Sequence, residues 1–353
     1  MEEVEQIFDS QPVLSEERHI VYAKAAFWKR LLAKLIDFLA FAFLTVSIFT
    51  LNRLMVTNTE KYKTTNEEVI NIQLNSGLYK YDSNGILRDQ VSILNEDKIL
   101  TGGGKFNQAK SAIDKFYTYA NSVCEEEYLI TMKKEYDEYR LQSDFKYEGK
   151  ALFIKDSVTG EIKENEELVG EQANTSYIFT HYYRNVYAPY IDKYLQAYLL
   201  KYIPNYYEDV RYIALMVIWA EIFPAYCFSG ILVYFVPTLV FRHGRKTLGK
   251  LAYRIGYVDS RILAPSFARN LCRFAIFYVF ELILSIFTFG IPFIISVSMM
   301  AFSKKNQTFS EYMTGIREVD TSENKIFVSF SEIDLSHVKL NKDPIDFKMT
   351  NYD

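Results

Sequence analysis

Three long blocks of apolar residues stand out from an otherwise polar chain. The first runs without a charge from Phe38 to Leu51, and the seven residues before it contain only two charges, Lys34 and Asp37. About 20 apolar residues are enough to cross the ~30 Å of hydrocarbon in a bilayer. We therefore predict a transmembrane helix over residues 27–56. A cleaved signal peptide fits less well, because a charged leader precedes the block and an acid interrupts it.

The second and third blocks are each longer than a bilayer is thick. Residues 212–241 are interrupted by one acid and two prolines, and we expect a kink at Pro224. Residues 274–302 contain one charge, Glu281, and a break at Gly290-Ile291-Pro292. This break fits either one kinked crossing or a hairpin. The predicted fold is therefore an all-α membrane core with three transmembrane blocks, or with four helices if the third block is a hairpin.

Basic residues flank these blocks unevenly. Residues 242–273 contain eight basic side chains and one acid, and four more basic residues lie around the start of the first block. Lys and Arg in short loops favour the cytoplasmic side. We predict that the N-terminal segment 1–26 and the loop 242–273 are cytoplasmic, and that segment 57–205 is extracytoplasmic. Two lysines at 304–305 favour a cytoplasmic side for the acidic tail, 321–353.

Segment 57–205 is polar and long enough to bury a core of its own. Apolar residues at three- and four-residue steps predict a helix over 106–123, and residues 69–74 are typical of a strand. A turn inside 152–163 predicts a β-hairpin. A tyrosine-rich helix over 178–203 leads into the second block. We predict an inserted α+β or mostly helical domain.

Composition excludes several classes of protein. The chain has 353 residues, of which 49% are hydrophobic, and its net charge of −4 argues against both a disordered chain and a nucleic-acid-binding protein. Its three cysteines and four histidines lack the spacing of a disulfide framework or a metal centre. We find no nucleophile–base pair and no cofactor loop. We therefore expect a protein that is not an enzyme and that binds no cofactor.

Ionisable residues inside the apolar blocks are the first candidates for chemistry. Arg30 and Asp37 are seven residues apart, so they lie on nearly the same face of the first helix. A bare charge at that depth costs several kcal/mol, so Asp37 must be paired, protonated or near water. It forms either an ion or proton site or a buried salt bridge, with Arg269 or Arg273 as its partner. Glu281 needs a partner for the same reason.

Residues 244–250 match the spacing GxxxxGK of a phosphate-binding loop. Leu251 stands where that loop needs Ser or Thr, and a transmembrane helix precedes it instead of a strand, so we predict no nucleotide site. We expect Thr247 to cap a basic segment that lies on the inner lipid surface, against anionic headgroups. The residues of this interfacial segment are Arg245, Lys246, Thr247, Gly249 and Lys250.

Four short motifs, in this order, resemble those of the RDD family of small bacterial membrane proteins. They are R-x-x-A-x-x-I-D from Arg30 to Asp37, TLGK with the following Gly-Tyr-Val, A-R-x-x-x-R ending at Arg273, and a closing Q-x-x-x-E around Glu311. Glu311 stands where the family has its second aspartate. The resemblance implies a multi-pass core over 27–56 and 206–320 in the bacterial plasma membrane. It also implies cation/proton exchange, an activity linked to some members.

Two functions from different classes remain open. The size of segment 57–205 favours a non-enzymatic accessory or assembly factor that binds an extracytoplasmic protein. The carboxylates of Asp37, Glu281 and Glu311 instead favour a cation/proton antiporter or a small-solute transporter. The 28 tyrosines fit either a binding surface or a genome whose codons favour tyrosine. The sequence is compatible with a homo-oligomer.

Overall fold

The chain is mostly helical, and its structure is described over most of its length. The computed structural model describes residues 19–20, 22–157, 159–169, 175–303, 305–335 and 339–340. The predictions for segment 1–26 and for the tail 321–353 therefore fall partly outside the described residues. Lys304, which we used to place the tail, lies outside them.

The secondary structure consists of helices of very different length and of short paired strands. The helices are α1 Phe27–Thr57, α2 Glu60–Asn75, α3 Gln90–Glu96, α4 Gly102–Val123, α5 Glu126–Arg140, α6 Glu166–Val169, α7 175–202, α8 Tyr206–Val240, α9 Leu248–Ala252, α10 Phe267–Phe287, α11 Ile291–Phe302, α12 Phe309–Thr314 and α13 Phe330–Leu335. The strands are β1 His19–Ile20, β2 Tyr79–Tyr81, β3 Leu87–Asp89, β4 Lys146–Tyr147, β5 Lys150–Ala151, β6 Phe153–Lys155, β7 Ile162–Glu164, β8 Ile255–Val258, β9 Arg317–Asp320 and β10 Lys339–Leu340.

The chain divides into two units. One contains the chain up to Asn52 and from Glu221 onwards, and the other is Arg53–Ala220. The sequence placed the insertion at 57–205, whereas both boundaries lie inside long helices, α1 and α8. A helix continues as long as its backbone hydrogen bonds are made, so it need not end where the apolar sequence ends.

Within the described part of the chain, three helices are long and apolar enough to cross a membrane. They are α1, α8 and α10, with mean hydropathies of 2.1, 1.7 and 1.7 in their most apolar windows. They correspond to the three predicted blocks. On α1 two charged residues, Arg30 and Asp37, are buried at 2% exposure each, while the apolar Trp28 and Phe43 are 69% and 73% exposed. This arrangement is the reverse of a helix packed in water, and it fits a helix surrounded by lipid.

The third apolar block forms two helices that pack against each other. Phe289 and Gly290, both at positive φ, make the turn between α10 and α11. The Ser296 hydroxyl of α11 donates to a carboxylate oxygen of Glu281 on α10 at 2.6 Å, which places the two helices side by side. With 12 residues, α11 is only about 18 Å long.

Prolines in α7 and α8 do not end these helices. Pro189, Pro224 and Pro237 each follow a short stretch of wider, π-type helical turns. Proline lacks the amide hydrogen that an α-helix needs, and a wider turn re-routes the neighbouring hydrogen bonds. As a result, α8 continues through Pro224, where we expected a kink, over 35 residues.

A small β element completes the first unit. Strands β8 and β9 are antiparallel, with Tyr257 opposite Glu318, and Lys24 forms a bridge to Val319. A separate apolar cluster lies beside them. Its buried members are Tyr22, Val258, Leu263, Ala264, Val319, Ile326, Phe327 and Ile333. These contacts hold the polypeptide before α1 against the segment after α12.

The unit 53–220 has its own core, built mainly between α4 and α7. Tyr182, Tyr183, Tyr187 and Tyr190 of α7 are each at most 1% exposed. Their hydroxyl groups are paired; that of Tyr190, for example, lies 2.7 Å from the hydroxyl of Tyr117. Many of the tyrosines that the sequence offered as a binding surface are therefore core residues.

Local predictions within this unit had mixed outcomes. The helix over 106–123 is α4, and the hairpin in 152–163 is the antiparallel pair β6–β7. The strand predicted at 69–74 was wrong, because these residues belong to α2. The periodicity of a short apolar run cannot distinguish a strand from part of a helix. In the folded protein, packing favours the helix at these residues.

Phe116→Ala should destabilise the unit 53–220 by about 3–5 kcal/mol, because this fully buried ring would leave a cavity in the core. Ile99→Ala is the matched control, since Ile99 is 95% exposed and its loss should change stability by less than ~0.5 kcal/mol. Pulse proteolysis of the full-length protein in detergent measures both values. Equal effects would contradict the described core.

Candidate functional site

Eight charged side chains gather inside the first unit, and we call them the buried charge cluster. They come from α1, α9, α10, α12 and β9. The cations are Arg30, Lys34, Lys250 and Arg273, and the anions are Asp37, Glu281, Glu311 and Glu318. All except Lys34 are at most 5% exposed. Four positive and four negative groups balance each other, as expected where water cannot screen them.

Asp37 binds the N-terminus of α9. One carboxylate oxygen accepts a hydrogen bond from the Thr247 hydroxyl at 2.6 Å, and the other accepts from the Gly249 amide at 2.7 Å. A carboxylate is stabilised there because the first amides of a helix lack partners and carry a partial positive charge. Thr247 stands at the predicted cap position, but its side chain does not cap α9. Asp37 of another helix does so in its place.

Gly249 is required where α9 meets α1. A Cβ at this residue would lie 1.9 Å from the carbonyl oxygen of Ala33, which is itself completely buried. Only a residue without a side chain lets the two backbones come this close. The sequence Thr-Leu-Gly-Lys therefore supplies a hydroxyl donor, an amide donor and the space that both need to reach Asp37.

Arg30 joins α1 to the segment that contains α12 and β9. Its guanidinium donates to Glu311 at 2.8 Å, and also to Glu318 and to the carbonyl oxygen of Asn306. Lys250 donates to the second oxygen of Glu318, with its ammonium 4.3 Å from the centre of the Tyr257 ring. The planar guanidinium suits this role because it can serve several acceptors at once.

Glu311 is held as an anion. Its carboxylate accepts from the Thr308 amide at 3.1 Å, and Thr308 in turn accepts from the Glu311 amide, which together form a capping box at the start of α12. Burial alone would raise the pKa of Glu311, but the charges of Arg30 and Lys250 outweigh it and lower the pKa below the usual glutamate value. Glu311 therefore stays ionised at neutral pH.

Glu281 connects three helices. Besides the hydroxyl of Ser296 on α11, it accepts the Ser310 amide of α12 at 2.9 Å. The sequence predicted that this residue needs a partner inside the membrane core. Neutral hydroxyl and amide donors fill that role.

The arginines proposed as partners of Asp37 have other contacts. Arg273 donates to the Tyr257 hydroxyl at 2.9 Å, and Arg269 lies 3.3 Å from the carboxylate of Asp259. The predicted salt bridge from Asp37 to either arginine was wrong. Both arginines lie on α10, which begins at Phe267, and not in the loop where the sequence placed them.

The basic segment 245–250 was wrongly predicted to lie on the lipid surface. Arg245 is 9% exposed and donates to the carbonyl oxygens of Pro265 and Thr238, and Lys246 donates to the Thr321 hydroxyl at 2.7 Å. The segment turns inward because its partners Asp37 and Glu318 are supplied by distant parts of the chain. Local charge counting cannot detect them.

Sequence reasoning missed Glu318, Tyr257 and the two serines that bind Glu281. Glu318 lies on a short strand and is 5% exposed, although its neighbours give no sign of a buried acid. The one available signal was the balance of charge. Four cations among apolar residues require four buried anions, and Asp37, Glu281 and Glu311 provide only three of them.

A small cavity lies within the cluster. Its volume is about 40 Å³, and six of its lining residues are charged. They are Lys34, Asp37, Lys250, Arg273, Glu281 and Glu311. A water needs about 10–15 Å³ by this measure, so the cavity has room for a few waters but not for an organic solute. Lys34 lines it without a hydrogen bond or ion pair to a described residue.

Gly249→Ala should destabilise the first unit by about 3 kcal/mol or more, because the new methyl group would push α9 from α1 and break the contacts of Asp37. Thermal unfolding in detergent measures this. Leu248→Ala changes the neighbouring residue, which is 44% exposed, and should have little effect. A stable Gly249→Ala protein would disprove the close approach.

Arg30→Met should cost about 3–5 kcal/mol by leaving two buried carboxylates without their arginine. Adding Glu311→Gln should restore at least half of the loss, since Lys250 still pairs with Glu318. Lys29→Met removes a partly exposed ion pair with Asp320 and should cost at most ~1 kcal/mol. Thermal unfolding of the unmodified protein, of these three variants and of Glu311→Gln alone tests the cluster. Simple additivity in the double variant would contradict it.

Comparison with known proteins identifies one family. The model of the RDD family matches residues 176–315, which include the Thr-Leu-Gly-Lys segment, the two arginines of α10 and Glu311. The match does not extend to Arg30 and Asp37 of α1. Neither a curated protein nor a solved structure is similar enough to this chain to give a match. Residues 176–315 of this chain are therefore similar to the RDD family.

Proposed function

We propose that this protein is a non-enzymatic accessory factor of the membrane, in which the unit 53–220 binds a protein partner and the first unit serves as its anchor. The family match and the apolar helices support the membrane assignment. The exposed apolar residues of α1, α8 and α10 support it further. They include Phe43, Val240 and Phe287, which are 73%, 69% and 74% exposed.

The pairing of the buried carboxylates carries this proposal. Each of the four has two partners within the protein. Asp37 has Thr247 and Gly249, Glu281 has Ser296 and Ser310, Glu311 has Arg30 and Thr308, and Glu318 has Arg30 and Lys250. Carboxylates with such fixed partners hold helices together, and exchanging them for a passing ion would break buried contacts. The pairing therefore favours a membrane anchor over a pathway for transported ions.

The unit 53–220 offers the surface for a partner. Its extensive core supports a fold of its own, while several large apolar side chains remain on its surface. Among them are Ile86, Ile99, Ile130 and Tyr177, between 58% and 95% exposed. Basic residues outside the cluster, such as Arg242 and Arg254, stay exposed in the loop 242–273. By the positive-inside rule we place that loop in the cytoplasm of a bacterium and the unit outside the plasma membrane.

Cation/proton exchange is the second candidate, and one observation favours it. Lys34 lines the cavity together with three carboxylates but has no bonded partner among the described residues. A lysine in such a place could exchange a proton with Glu281 or Glu311 through water in the cavity.

Variants of Asp37 separate the two functions. Asp37→Asn keeps an oxygen for the Gly249 amide and can still bond Thr247, so an anchor should retain at least half of its activity in complementing a deletion strain. Asp37→Ala leaves both donors unpaired and should destabilise by about 2–4 kcal/mol. Replacing residues 60–203 by a flexible linker should abolish complementation while the protein still inserts.

The opposite results would identify a transporter. Activity that is lost in Asp37→Asn but kept without residues 60–203 would refute the accessory role. Proton flux by purified protein in liposomes, absent in Asp37→Asn, would establish the second candidate.

A further inference from the structure

Two depressions on the unit 53–220 adjoin each other and differ in chemistry. The first has a volume of about 530 Å³, and the second of about 450 Å³. Leu200 lines both, so the two meet at this side chain. Each is within the size range of small-molecule sites, about 300–1,000 Å³.

The first depression is an uncharged groove between α2, α7 and α8. Its apolar lining consists of Val69, Ile70, Leu87, Leu200, Val210 and Ile213. Four of its five polar side chains bond one another in pairs, and Asn66 is the fifth. The Gln73 amide donates to the Tyr206 hydroxyl at 2.9 Å, and the Tyr79 hydroxyl donates to Gln196 at 3.0 Å. The groove therefore suits a hydrocarbon chain, which has no hydrogen-bond donors or acceptors.

The second depression combines aromatic rings with charges of both signs. Tyr128 and Tyr202 have ring centres 5.1 Å apart, and the ammonium of Lys201 lies 4.7 Å from the Tyr202 ring. Two acids, Glu125 and Glu208, line the same space. A cation is attracted by tyrosine faces and carboxylates, and a phosphate is attracted by lysine. These side chains therefore complement a headgroup that contains both a cation and a phosphate.

The groove lies on a helix that enters the membrane. Val210 and Ile213 belong to α8, which continues as one helix to Val240. Val210 is the fifth residue of this 35-residue apolar helix. Membrane lipid is thus the source of amphiphiles nearest to this part of α8.

From these features we infer that the unit 53–220 binds one phospholipid with an ammonium headgroup. An acyl chain fills the groove, the phosphate contacts Lys201, and the ammonium lies near Glu125, Glu208 and the tyrosine rings. This site goes beyond the proposed protein-binding role and does not depend on it. Lipid labelling and complementation are separate measurements, so either proposal can fail alone.

Photolabelling tests the site on the full-length protein in phosphatidylglycerol vesicles. The vesicles contain a trace of phosphatidylethanolamine with a diazirine in its acyl chain, or phosphatidylglycerol with the same chain. We expect crosslinks in peptides of α2 and in the first part of α8, about tenfold more abundant for the ethanolamine lipid, the factor from one charged contact. Crosslinks absent from these peptides would overturn the proposal.

Two variants with matched controls test the two halves of the site. Val210→Trp fills the groove and should reduce its labelling about tenfold, whereas Ile130→Trp, on an exposed site of α5, should not. Glu125→Gln with Glu208→Gln should bring the two lipids to equal labelling, whereas Glu127→Gln should leave the preference intact.

Unchanged labelling in Val210→Trp, or equal labelling of both lipids by the unmodified protein, would refute the site. Loss of a protein partner in Val210→Trp with unchanged lipid labelling would assign the groove to a peptide instead.

Discussion

Charges inside an apolar core must be matched there, and this constraint organises the first unit. Asp37 meets the N-terminus of α9, and Arg30 meets Glu311 and Glu318. Each contact joins segments that are hundreds of residues apart in the chain. Because an unpaired charge in a medium of low dielectric constant costs several kcal/mol, the helices have few alternative arrangements. The apolar surfaces of the same helices are left free to face lipid.

The short basic segment after α8 shows how closely this constraint determines sequence. Thr247 and Gly249 bind a carboxylate from α1, and Lys250 binds one from β9. A side chain at Gly249 would collide with the backbone of Ala33. The segment therefore acts as a connector among three elements, and its residue types follow from the atoms it must reach. The spacing of a phosphate-binding loop is present, but Asp37 occupies the helix end where such a loop would hold a phosphate.

The unit 53–220 is stabilised in a different way. Its core contains stacked and edge-on aromatic rings, and the tyrosine hydroxyls inside it find partners such as Glu164 and the backbone. Tyrosine supplies a large apolar ring together with one hydrogen-bonding group, so it packs well where the core is not fully apolar. Helix α7 carries most of these rings. Its surface next to α2 and α8 stays open as the groove that we assign to lipid.

The sequence by itself determined the three apolar helices, helix α4 and the hairpin β6–β7. These features depend on local periodicity and on turn residues, which neighbours along the chain specify. Tertiary structure decided the partners of Asp37 and Glu281, the burial of Arg245 and Lys250, the presence of Glu318 in the cluster and the helix at 69–74. Each of these depends on which distant groups meet in space. The strength of a buried contact comes from that meeting, and a one-dimensional pattern contains no distances between remote residues.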